Sequence, residues 1–552
     1  MILRRLIPLL LIAMLTAGCA RNAAMDKMVA EKKLKPQEYA VLPESEKVRY
    51  KDIILRVPAQ WGGAILPFDK GPYDSPVDKA VHGGDLGTLI GLYNQSLFEL
   101  QNPRVKVEYI NFDMWTDNFR SALAVALSAK KAPAYYIARD LPQTIEQGMY
   151  ADITELMKTW DQFSQQPEGS IRQGTVNGHI YTIAANELGA TVIRYRKDWF
   201  REAGIFNERG EPGPRSDWTW DDYRAYAKKL TDVSKNRHGG AADDAGSMHY
   251  IEANGLDLYI PDSTGNNDWQ FNDKDPRILD SLKAVREIIN NDKSITYSTT
   301  MGWYERHNEF DSGRVGMISS FSPHIARESI TSPTKMGQDS VYRDTVGMAP
   351  FPRGKNGYNP LQPITNPIGF DPTLSKEQLK AAFEWCKSWF YGDNFLNRMR
   401  NAVLEAKLKG QQSEVYVEYL ILPYTPKENL LDKPLEEVFP KDYTATYKAI
   451  REAHSPPLPR QYGLQEPPPA EFNKAVHALY AEAITSQGDL KALLAKHANL
   501  INTNLFRFGG KADREKMRLY IKERSEFYKK YQPAFYENDW KQRLTTYYRI
   551  PN

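Results

Sequence analysis

The stretch GHIYTIAANELGATVIRYRKDWFREAG, Gly178 to Gly204, decides how the rest of the chain is read. Within it, Thr191 to Tyr195 is a β-branched and aromatic run that reads as a strand. Working outward from it, Ile53 to Val57 reads as a strand, and Val105, Val107 and Tyr109 alternate as another. Asp117 then opens a helix with Phe119, Ala122, Leu123, Ala126 and Leu127 on one face, and a short strand follows at Ala134 to Ala138. Strand, helix, strand at this spacing predicts βαβ units and a mainly parallel sheet. The second half repeats the theme. Thr219, with Asp222 three residues on, caps a helix whose apolar side is Tyr223, Ala227 and Leu230. Leu279, Leu282, Val285 and Ile289 mark a further helix, and Ser375 with Gln378 forms a capping box for the next. Late helices are predicted around Phe472 to Ile484, Leu490 to Ile501 and Lys511 to Tyr531.

The 552 residues allow several domains. Lys and Arg total 72 against 69 Asp and Glu, and this near balance removes the strong basic character of a nucleic-acid protein. Aromatic residues reach 12%, which suits pockets for ligands with apolar faces. Two cysteines exclude a disulfide framework and a cysteine-based zinc site. None of the sequence signatures H-E-x-x-H, G-x-S-x-G, Walker A or G-x-G-x-x-G occurs. Asp262, Thr264, Asn266 and Asp268 imitate calcium-loop spacing, but Asn267 stands where the loop needs Gly and Asp273 where it needs Glu. That segment reads as a solvated loop, and no metal or other cofactor is expected. Composition alone leaves a hydrolase with paired carboxylates open.

The N-terminus speaks of location. Arg4 and Arg5 precede an apolar run from Leu6 to Leu15, too short to span a bilayer. Thr16-Ala17-Gly18 and then Cys19 complete the order basic, apolar, small, cysteine, which resembles the bacterial lipoprotein cleavage box. Residues 1–18 are therefore expected to be a signal peptide, Cys19 the lipidated residue, and 19–50 a tether. Cys386 sits in a helical apolar stripe with Leu379, Ala382, Phe383 and Phe390, and reads as core.

Six segments, in order, are similar to the extracellular solute-binding proteins of carbohydrate ABC transporters, family 1. They are FRSALAVALSAKKAPAYYIARDLPQTIEQGMYADI from Phe119, the quoted stretch from Gly178, SDWTWDDYRAYAKKLT from Ser216, FDSGRVGM from Phe310, VGMAPFPRGKNG from Val346, and Ile368 to Ser388. The chain departs from the pattern at Ala184-Ala185, where the family usually has Pro, and at Arg196, where it usually has Asn. The resemblance covers roughly residues 51 to 505 and implies an α/β, two-lobe periplasmic-binding-protein-like fold (type II), with hinged lobes around a central ligand cleft. The expected partition is 51–184 plus 343–395 as lobe 1 and 185–342 plus 396–510 as lobe 2. Residues 511–552, an extra C-terminal helical extension, are expected to pack on the outside. Crossings are expected near Gly178 to Ala185 and Asp339 to Thr345.

Function follows from the resemblance. The chain would be a lipid-anchored receptor on the cell envelope, outside the cytoplasmic membrane or in the periplasm. It would capture a sugar or oligosaccharide, hand it to the permease subunits of an ABC importer, act as a monomer, and touch no nucleic acid. Sugar hydroxyls call for carboxylates, Arg or amides, and the C–H face calls for flat rings. The expected ligand-binding residues are Trp61, Arg139, Asp140, Asn186, Glu187 and Phe321, which follow strands or the crossing segment, Trp303 and Tyr304 before the helix leading to Phe310, and Asn366 before Pro367-Ile368-Gly369, with Tyr462 of the proline-rich loop a weaker candidate. No catalytic residue is expected. Two alternatives stay open here: an exported glycosidase with paired carboxylates, and a receptor for a non-sugar solute such as a peptide. The ordered motif series separates the first from a receptor.

Overall fold

A computed structural model of the chain describes residues 51–58, 95–114, 118–139, 141–166, 168–184, 189–242, 253–263, 268–298, 301–321, 345–363, 367–390, 441–464, 466–467, 469–506 and 513–548. The strands in chain order are β1 (Ile53–Pro58), β2 (Val105–Ile110), β3 (Tyr135–Ile137), β4 (Thr175–Val176), β5 (His179–Ile180), β6 (Thr182–Ala184), β7 (Thr191–Arg196), β8 (Gly240–Ala242), β9 (Tyr259–Pro261), β10 (Trp269–Phe271), β11 (Ile295–Tyr297), β12 (Met317–Phe321), β13 (Val346–Pro350) and β14 (Pro367–Phe370).

Two larger sheets organise the molecule. In the first, β2 pairs with β1 in parallel, and Ala134 N donates to Arg56 O at 2.6 Å, which joins β1 to β3. β14 then lies between β3 and β6, antiparallel to both. The resulting order is β2-β1-β3-β14-β6. In the second, β11 pairs with β8 in parallel, and a parallel bridge between His238 and Val315 joins β8 to β12. β7 lies between β12 and β13, antiparallel to both. That order is β11-β8-β12-β7-β13. Each sheet thus contains one reversed strand, and each reversed strand has just arrived from the other sheet. The sheets are mainly parallel in strand direction, as expected, and the reversed strand in each is the departure. A strand that enters a sheet from the crossing side must run away from it, while its neighbours run toward it.

Local sequence explains the helices beside these sheets. Thr219 and Asp222 form the reciprocal capping box, with Thr219 N donating to Asp222 Oδ2 at 2.8 Å. Ser375 and Gln378 do the same: Ser375 N donates to Gln378 Oε1 at 3.0 Å and Gln378 N to Ser375 Oγ at 3.2 Å. Helix Phe119–Ser128 buries Phe119, Leu123 and Leu127, as its period requires. The first lobe's core gathers Leu55, Val57, Val107, Ile183 and Phe370 around Phe383, Trp385 and Cys386. The second lobe's core gathers Trp199, Phe200, Trp218, Trp220, Tyr223 and Met317. Asp262 N donates to Asp268 O at 3.2 Å, closing the β9–β10 hairpin around the calcium-like segment; its residues 264–267 lie outside the described residues.

Two boundaries differ from expectation. The return to the first lobe, expected from residue 343, comes later. β13 is a strand of the second sheet, and the first sheet is rejoined only at Pro367. The C-terminal extension does not pack on the outside. Phe535 and Trp540 are fully buried, and they share one cluster with Trp269, Leu282 and Val476. Among the described residues no helix is long and apolar enough to cross a membrane. Cys19 and the rest of residues 1–50 lie outside the described residues.

Candidate functional site

The crossing strands define two sheet rims. On the first, Ala138 N donates to Pro367 O at 2.8 Å, and Pro367 is paired with Ala184. On the second, Phe321 is paired with Thr191, and Pro350 with Val192. Residues 185–190 link Ala184 to Thr191. At about 3.3–3.6 Å per residue, that linker keeps the two rims within roughly 25 Å of each other at this edge.

Arg139 stands one residue beyond the first rim, and its backbone is held from both sides. Its N–H donates to the Tyr150 hydroxyl at 3.1 Å, and its carbonyl accepts from Thr144 Oγ1 at 3.0 Å. Tyr150 is buried and packs against Tyr136 with ring centroids 5.5 Å apart. The half-buried guanidinium lies over the Phe119 ring at 5.5 Å, which presents a fixed cation at the strand end.

Phe321 is the last residue of β12 and is half-buried. Ser320, just before it, is held through its Oγ by His307 Nε2 at 2.9 Å. His307 belongs to helix Trp303–Asp311, which starts after β11 and leads back to β12. Trp303 and Tyr304 occupy the first turn of this helix; their side chains are outside the described residues. Gly302 N donates to Glu305 Oε2 at 3.0 Å and fixes the turn. Arg306 is buried, and burial pulls its guanidinium down to about 10, so it stays cationic at neutral pH.

Of the expected contacts, Trp61, Asp140, Asn186, Glu187 and Asn366 lie outside the described residues. Tyr462 is drawn elsewhere: its hydroxyl donates to Glu523 Oε2 at 2.6 Å and its ring packs on Tyr520 at 5.7 Å. Phe351, which follows β13 directly, is buried in the second lobe's core, where it stacks on Trp220 at 6.1 Å and 28°. A cavity of about 30 Å³ beneath the second rim, lined by Ile193, Trp220, Tyr223 and Phe351, is too small for a sugar. Among the described residues no group of three or more His, Cys, Asp or Glu could hold a metal ion.

A family profile described as bacterial extracellular solute-binding protein matches residues 85–388, more than half of the chain. The chain belongs to the bacterial extracellular solute-binding proteins. The match ends where the sixth motif ends, so the helices from Lys441 onward extend this solute-binding protein beyond the matched region. No curated protein matches the chain.

Solved structures agree on the fold. A substrate-binding protein of an ABC transporter from Listeria monocytogenes, in complex with cycloalternan, shares 16% identity at a TM-score of 0.52 and covers 82% of this chain and 98% of its own. Maltose-bound MalE3 of T. maritima shares 16% at 0.52, covering 82% and 99%. UgpB from Mycobacterium tuberculosis, in complex with glycerophosphocholine, shares 13% at 0.53, covering 76% and 95%. At these identities the likeness establishes the two-lobe, type II periplasmic-binding-protein fold, which the rim-to-rim crossing strands already display.

Proposed function

We propose that this solute-binding protein captures a sugar or oligosaccharide between its two lobes by hinge closure and delivers it to an ABC importer. The observation that carries the reading is the pair of crossings, β6 to β7 and β13 to β14, which set the two strand-end rims beside a short linker. Arg139 beyond one rim supplies a charged donor for hydroxyls, and Phe321 on the other supplies a ring for a C–H face. We assign Trp61, Asp140, Asn186, Glu187, Trp303, Tyr304 and Asn366 to the same ligand shell from their places in the sequence. Carbohydrates in the Listeria and T. maritima structures support the class. Lipidation of Cys19 would hold the receptor on the outer side of the membrane, beside the permease.

A thermal-shift screen of mono- and oligosaccharides, with glycerophosphocholine and a peptide pool alongside, tests this reading. A sugar present at 100 times its Kd should stabilise the chain by about 2.7 kcal/mol. The bound sugar should be recovered intact. Stabilisation by a non-sugar alone, or cleavage of the sugar, would refute it. Mass spectrometry should find the mature chain starting at an acylated Cys19.

A further inference from the structure

The region after the family match holds both sides of the hinge at once. It is rooted in the second lobe through Asp257, which accepts from Arg524 Nη2 at 2.7 Å, Arg543 Nη1 at 3.2 Å and the Tyr548 hydroxyl at 2.6 Å. From that root it reaches the crossing that returns to the first lobe. Asn359 N donates to Gln532 Oε1 at 3.1 Å, and Gln532 Nε2 donates back to Asn359 O at 3.2 Å. Asn356 Nδ2 donates to Asp539, and the Tyr358 ring packs on Phe535 at 4.9 Å. It then reaches the first lobe through the strap 454–463. Tyr462 of the strap is tied to Glu523 in helix Arg514–Tyr531, and His454 stacks on Tyr531 at 3.7 Å. On its other side the strap meets helix Glu168–Gln173 and the β4–β5 turn. There Arg172 Nη1 donates to Ser455 O at 2.7 Å, and Asn177 N donates to Arg460 O at 2.8 Å. The Arg172 guanidinium also lies 6.0 Å from the Phe527 ring.

We infer that residues 454–463 and 513–548 form a brace that sets the resting angle between the lobes. The contacts are unequal in kind. The root on the second lobe is a buried ionic cluster around Asp257, whereas the contacts on the first lobe are a few hydrogen bonds and the Arg172–Phe527 contact at a partly exposed edge. Weakening the first-lobe side therefore frees the angle without dismantling either core. The inference rests on the hinge reading only for its effect on affinity, because an apparent Kd rises in inverse proportion as the fraction of chains in the binding-competent angle falls.

The test uses Arg172→Ala with Tyr462→Phe in the full chain carrying Cys19→Ser. Spin labels go on Ser128→Cys in the first lobe and Lys229→Cys in the second, both exposed, while the buried Cys386 stays unlabelled. Electron–electron distance measurements on the unliganded protein should show the inter-lobe distribution at least twofold broader than in the same labelled chain with Arg172 and Tyr462 intact. A sugar that binds the intact chain should bind the variant with a Kd changed threefold or more. An unchanged distribution would overturn the brace, whether or not any sugar binds. A broadened distribution in a chain that binds no sugar would uphold the brace and count against the sugar reading alone. Should the double variant melt early, Arg172→Ala alone serves, and an unchanged distribution would again overturn the inference.

Discussion

Replacing Asp257 with Ala removes the acceptor on which the C-terminal helices converge. In the native chain this buried carboxylate faces Arg524, Arg543 and the Tyr548 hydroxyl. Burial pushes its carboxyl up, but the two guanidiniums and the hydroxyl outweigh that and hold it below the usual range. The substitution leaves two cations without this partner. Arg543 keeps Asp539, at 2.7 Å from Nε and 2.8 Å from Nη2. Arg524 keeps the Tyr520 and Tyr528 hydroxyls, at 3.1 and 3.2 Å, and the face of the Trp540 ring at 4.7 Å. Three lost bonds to charged groups at 1.5–3 kcal/mol each would overstate the loss, because part of each cation's shell survives. Removing one partner of a buried pair costs about 3–5 kcal/mol, and we expect that range. The assay is urea unfolding followed by tryptophan fluorescence, since Trp540 is fully buried beside the network. The urea slope grows with the surface exposed, to about 5 kcal/mol per molar for a chain of this size, so the midpoint should fall by somewhat less than about 1 M. A loss below about 1 kcal/mol would show that the extension is not an integral part of the second lobe.

Acid should act through the same network. Burial pushes the Asp539 carboxyl up, but hydrogen bonds and charge from Arg543 and Arg277 bring it down to about 2, from an ordinary 3.8. A carboxyl depressed in the folded state stabilises fully above its unfolded value and loses that contribution as pH falls through its folded one. Melting temperature should therefore hold above about pH 5 and drop toward pH 2, with about 2 kcal/mol lost from this group, and Asp539→Asn should flatten that slope. Arg139→Ala should weaken sugar binding about tenfold or more in calorimetry, with the melting temperature nearly unchanged, because the side chain lies at a strand end and outside the core. The Cys386 thiol, pushed well up by burial, should react with a thiol reagent only when the chain is unfolded by denaturant.

Local signals were legible in the sequence. The caps at Thr219 and Ser375, the strand at Thr191 and the stripe around Cys386 are decided by neighbours three or four residues away, and each is where its pattern placed it. Strand direction was not legible. Nothing within β7 or β14 states that its partners run the other way, because that follows from where the chain crosses. For the same reason β13 was assigned to the wrong lobe, since its partner β7 lies about 150 residues earlier in the chain. The extension was misread because its acidic partner Asp257 is 267 residues from Arg524, so a charged and aromatic helix looked like a surface one. Among the proposed ligand contacts, the place of Phe321 at the end of a strand and of Arg139 just past one was legible from the strand patterns alone.

Small-angle scattering from the purified chain, with and without a saturating sugar chosen from the thermal screen, tests the central claim most directly. Closure of two lobes on a ligand requires the ligand to favour one inter-lobe angle over others. The account predicts a smaller radius of gyration with the sugar bound than without it. An unchanged radius at saturation would contradict capture between the lobes.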